Sequence, residues 1–169
     1  MKFSKHLITA ALTTACAVSV FAQNVTVTDA WARATVQGQK ATGAFMKITA
    51  KDNAKLVGAS SPVAGVVEVH EMKMDKDIMK MAALPNGLDL PAGKAVELKP
   101  GGYHVMLMDL KAPLAKDTTI PLTLTVQDAK GVKSTVELKL LVGMQAPGMP
   151  SHDHSKHKHT EHKHGEHKH

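Results

Sequence analysis

Between residues 25 and 142 apolar side chains recur in short runs at alternate positions, the period of strands with one face in a core. The runs fall at 25–28, 44–48, 66–74, 78–82, 95–98, 104–110, 120–126 and 134–142. Turn-forming clusters punctuate them: Lys51-Asp52-Asn53, Asp75-Lys76-Asp77, Pro85-Asn86-Gly87, Pro91-Ala92-Gly93, Pro100-Gly101-Gly102 and Ala129-Lys130-Gly131. No long segment has a helical period. The pattern predicts an all-β domain over 23–144, a Greek-key barrel or sandwich. A linker is predicted over 145–150. The stretch 151–169 has low complexity and no core-forming residue, which predicts a disordered, His-rich tail.

The same alternation sorts the chemistry. His70, Met72 and Met74 share one face of their run, and Met79 and Met81 share one face of the next, which the Asp75-Lys76-Asp77 turn can fold back alongside the first. His104, Met106 and Met108 share a face of a third run, with Tyr103, Val105 and Leu107 on the other. A hairpin and one neighbouring strand can therefore gather two imidazoles and several thioethers near a sheet edge. Methionine in a β-rich core is usually packing, and Met46 or Met108 taken alone reads that way. The clusters differ because methionine runs in phase with histidine and because Glu71, Lys73, Asp75 and Lys76 place the first cluster near the surface. Four methionines between 72 and 81 is a high density of apolar area for an exposed hairpin.

Thioether sulfur prefers copper in its reduced, soft state, and imidazole binds copper in either state. A His2Met2 set suits closed-shell copper(I), which takes three or four soft or borderline ligands without demanding planarity. The tail carries eight histidines in His-x-His pairs: His152 and His154, His157 and His159, His162 and His164, His167 and His169. Imidazole without fixed geometry suits copper(II), zinc and nickel, and predicts capture or buffering with little selectivity, lost below about pH 6. These features point to a copper carrier. No paired acid/base constellation points to an enzyme, and copper held by thioethers is hindered in redox cycling.

Composition narrows the setting. A basic start, Met1 to Lys5, and an apolar stretch to Phe21 predict a secretory signal peptide over 1–22, cleaved after Ala22. Losing Lys2 and Lys5 with no acid takes the formal charge from +6 to +4. Cys16, the single cysteine, leaves with the signal, so the mature chain offers no thiolate for zinc fingers, iron–sulfur clusters or a blue-copper centre. Aromatic residues are 3% of the chain and Arg33 is its one arginine, which argues against a nucleic-acid surface. No later segment is apolar enough for stable membrane insertion.

The chain resembles the periplasmic PCu(A)C-type copper chaperones. Their motif is a His, ten residues, a Met, about twenty-one residues, then His-x-Met. Here ten residues separate His70 from Met81, and His104-Val105-Met106 supplies the last element. The spacer from Met81 to His104 is twenty-two residues, so a one-residue insertion in the 85–102 loops, or Met79 on the same face, accommodates the motif. Val96 to Met108 and Ala30-Trp31-Ala32-Arg33-Ala34 also look like the family. The resemblance spans about 24–142. It implies a cupredoxin-like β-barrel in which His70, Met81, His104 and Met106 bind copper(I), with Met72, Met74, Met79 and Met108 auxiliary. It implies delivery toward the copper-binding subunit of cytochrome c oxidase or its assembly factors. The rival reading is a periplasmic buffering or resistance protein that stores copper, zinc or nickel mainly through the tail.

Overall fold

A computed structural model describes residues 24–148, and every alternating run within them is a strand. The predicted signal peptide and the His-rich tail lie outside the described residues. The ten strands are β1 (Val25–Arg33), β2 (Ala41–Ala50), β3 (Ala54–Ser60), β4 (Ala64–Asp75), β5 (Ile78–Ala83), β6 (Leu88–Leu90), β7 (Ala95–Leu98), β8 (Tyr103–Leu110), β9 (Thr119–Asp128) and β10 (Lys133–Gly143). They form one sheet in the order β5-β4-β8-β7-β2-β1-β10-β9-β3-β6, and β8 also pairs with β2. β3 and β4 are distant in that order yet touch, so the sheet curls back on itself. The all-β expectation is met, and among the described residues no helix is long and apolar enough to cross a membrane.

Three elements went beyond the periodicity. β1 runs on to Arg33 because a bulge between Thr28 and Trp31, with Asp29 at φ 53°, shifts its register against β2. Beyond the bulge, Trp31–Arg33 also pair in parallel with Leu141–Gly143 of β10, which joins the two halves of the curl. β3 was missed because Gly58 and another bulge, between Leu56 and Gly58, break its alternation. β6 has only three residues.

Inside the curl Ile48, Leu56, Leu90, Val105, Leu107, Leu122, Leu124, Leu140 and Val142 are almost fully buried. Each such side chain contributes roughly 1.5–3 kcal/mol by leaving water. On β8 this commits Val105 and Leu107 inward, and the strand's pleat turns His104, Met106 and Met108 to the other side. The β4–β5 hairpin closes through Lys76 and Asp77, both at positive φ (47° and 65°), the signature of a type I′ turn. Asp75 and Lys80 form an ion pair across it.

Candidate metal centre

Register places the two histidines of the body together. His70 on β4 lies directly opposite His104 on β8, with ring centroids 5.8 Å apart and planes at 59°. Both side chains face away from the main core, yet they are only 7% and 6% exposed. Aromatic rings account for this. Phe45 on β2 lies 6.4 Å from the His104 ring, and Trp31 on β1 lies 4.7 Å from Phe45. A row of four rings thus crosses β1, β2, β8 and β4 on the outer surface, capped by the Arg33 guanidinium 5.6 Å above Phe45. Gly43 makes room for the row: a Cβ there would stand 2.7 Å from the Phe45 ring.

Each imidazole is anchored by one nitrogen. His104 Nδ1 donates to the Gly102 carbonyl at 3.0 Å, and His70 Nε2 donates to Glu68 Oε2 at 2.8 Å. The tautomers are assigned from these partners, and they leave a lone pair on His104 Nε2 and on His70 Nδ1. His70 Nδ1 is buried and has no hydrogen-bond partner. A buried nitrogen in that state costs roughly 1–3 kcal/mol unless something else occupies its lone pair. An oxygen acceptor behind a histidine is also how metal-ligating imidazoles are oriented.

Burial pushes the His104 ring below its ordinary value of 6.5, aided by the neighbouring His70 and opposed by the Gly102 carbonyl. The folded protein therefore keeps this ring neutral where the unfolded chain has begun to take up a proton. The stability so contributed is complete above pH 6.5 and is lost as pH falls from 6.5 toward the lower folded value. The expected result is a urea midpoint of the metal-free protein that drops between pH 7.5 and 5, with a smaller drop in His104→Asn. Equal drops in the two proteins would remove His104 from the account.

The thioethers surround the pair. Met72 is opposite Met81 and Met74 opposite Met79, all on the face of His70. Met106 is opposite Glu68, one pleat from His104, and Met108 is opposite Val66, one pleat further. Met72, His104 and Met106 line a cleft of about 300 Å³ with Arg33, Phe45 and Pro100. Met81 sits diagonally from His70, which is itself opposite Ala83, and is half-exposed. Among the described residues no three His, Cys, Asp or Glu side chains gather at metal-binding range. His152 to His169 lie outside the described residues. Glu68, Gly43 and Phe45 escaped the sequence reading, and Trp31 entered it only within the family-like run 30–34. Glu68 alone carried a local signal, two positions before His70 on the same face.

The chain is similar to known proteins in sequence and in fold. The family model described as "Putative lipoprotein LpqE-like" matches residues 25–138. "Putative lipoprotein Lxx21020" of Leifsonia xyli is 36% identical over 118 residues, 70% of this chain and 71% of that protein. The solution structure of CuI-DR1885 from Deinococcus radiodurans is 32% identical, covers 68% of this chain and 75% of that one, and superposes with a TM-score of 0.51. The copper-bound PCuAC domain from PmoF2, at 21% identity, shares the fold: it covers 72% of this chain and 94% of that domain, with a TM-score of 0.54. The cupredoxin-like architecture expected from the sequence is thus met. By the matched model and this relative, the chain belongs to the LpqE-like family.

Proposed function

We propose that this protein is an exported copper carrier that binds copper(I) between β4 and β8 and passes it to another protein. One observation carries the reading: His70 and His104 are direct cross-strand partners, each with one ring nitrogen anchored and the other left with a lone pair, and thioethers flank them. His70, His104, Met106 and Met81 are the ligands of this proposal, with Met72 beside them at the cleft. Two neutral imidazoles and two thioethers add no charge to a monovalent ion and match its softness. The thioethers carry no proton, so only the imidazoles compete with acid. Solved relatives in copper-bound forms support the cargo.

The position suits transfer. The cleft opens at the surface and Met81, the cross-strand partner of its lining residue Met72, stands half-exposed, so an incoming ligand can replace one thioether at a time. A carrier gains from such stepwise exchange. The histidines of 151–169 collect copper(II), which takes up one electron from a reductase or small thiol before entering the soft site. The family's description as a lipoprotein supports export through residues 1–22 to the periplasm. The recipient in this reading is the copper-binding subunit of cytochrome c oxidase or one of its assembly factors.

The test loads the chain truncated after residue 150 with one equivalent of copper(I), counts nitrogen and sulfur neighbours by X-ray absorption, and then adds an apo-acceptor. Two nitrogens, two sulfurs and transfer are expected. An all-nitrogen shell, or transfer that vanishes with the tail, would leave a buffering protein in place of a carrier. Glu68→Gln tests the positioning of His70: copper(I) affinity should fall about 10- to 100-fold with the ligand count unchanged. Unaltered affinity in that variant would show that the carboxylate does not orient the ring.

A further inference from the structure

We infer that the β4–β5 hairpin holds a second soft cation, at a site made wholly of thioethers: Met74 and Met79, with whichever member of the Met72–Met81 pair the imidazole centre leaves free. The inference goes beyond the single-ion reading above and rests on Met74 and Met79, which are not ligands in that reading.

The hairpin register carries the argument. Met74 faces Met79 directly, and Met72 faces Met81, so four thioethers form two rungs on one surface. Opposite Cβ atoms stand about 5 Å apart, and successive rungs about 7 Å apart. A methionine arm has three rotatable bonds, so three sulfurs from neighbouring corners can meet above the rungs. Every charged side chain of the hairpin from Glu71 to Lys80 that lies in the paired register, namely Glu71, Lys73, Asp75 and Lys80, falls on the opposite surface. The ion pairs Lys73–Glu71 and Lys80–Asp75 hold those charges to each other there.

Packing does not explain these methionines. Met74 is 64% exposed, Met79 45% and Met81 49%, and every residue of β5 is exposed. β5 ends the sheet, so among the described strands none covers its far side. Leucine or threonine would serve a strand position as well. What methionine adds is a neutral sulfur donor, and three of these satisfy a monovalent d10 ion. The turn's two positive-φ residues set the register that pairs the sulfurs.

The experiment uses the full chain, labelled with 13C at the methionine methyls, and redox-inert Ag(I) at free concentrations set by a competing ligand. Methyl signals are read residue by residue, so silver taken by the tail does not register. The Met74 and Met79 signals should shift saturably with a midpoint of their own, at least threefold from that of Met106. Met74→Leu with Met79→Leu should abolish that midpoint and leave the Met106 response within twofold. His104→Ala should do the reverse, silencing Met106 and sparing Met74 and Met79. Met74 and Met79 signals that stay still while Met106 saturates would overturn the inference, as would a single shared midpoint lost in His104→Ala. A Met106 response that is absent while the hairpin responds would sink the imidazole centre and keep this site.

Discussion

Replacing His70 and His104 together by alanine is expected to weaken copper(I) binding by roughly 1,000-fold, about 4 kcal/mol. The measurement is a competition titration against a chromophoric copper(I) chelator, on the chain ending at residue 150 so that the tail does not contribute. The size follows from what is removed. Both nitrogen donors go, and the thioethers that remain are half-exposed or lie one pleat away. The carrier reading does not survive a loss under tenfold. Met108→Leu is the control, because Met108 sits opposite Val66 and two pleats from His104; its affinity should stay within about threefold of the parent, less than 1 kcal/mol.

Phe45→Ala should carry the largest cost to folding of any substitution on the outer surface, about 3–5 kcal/mol. The ring is 5% exposed although it lies outside the main core, because Trp31, His104, Arg33 and the bare backbone of Gly43 enclose it. Its removal leaves a void beside His104 and bares Trp31. Thermal unfolding should shift down by about 10 °C or more, and Phe45→Leu, which keeps most of the volume, by much less. Copper should raise the midpoint of the alanine variant by mass action, since only the folded chain presents the paired imidazoles. A cost under about 1 kcal/mol would mean that the four-ring row is decoration on an independently stable sheet.

Much of this arrangement was readable from the chain. Period-two alternation found eight strands and put His70, Met72 and Met74 on one face, because a strand's pleat is enforced by its own backbone. The Asp75-Lys76-Asp77 cluster marked a turn, and the structure narrows it to Lys76 and Asp77. What was not readable depends on pairing between distant strands. That His70 meets His104 directly, and not Met106, is a matter of register between β4 and β8, which no local pattern encodes. The Phe45 roof was hidden for the same reason, since it comes from β2. β3 and the second half of β1 were lost to bulges, which shift the alternation by one residue and so erase its period. The His104 anchor on Gly102 needed coordinates, because a backbone acceptor has no sequence signature.

The hairpin's place at the end of the sheet has a dynamic consequence. β8, with His104 and Met106, is bonded on both flanks, whereas β5, with Met79 and Met81, is bonded only to β4. Edge strands without a buried face open locally at little cost. In the proposed reading the protein joins one rigid jaw to one loose jaw, and a captured ion would be the clasp between them. Amide hydrogens of β5 should exchange fast in the empty protein and about tenfold more slowly once loaded, while those of β8 barely change. Release to a recipient would then begin as fraying, from the loose jaw inward.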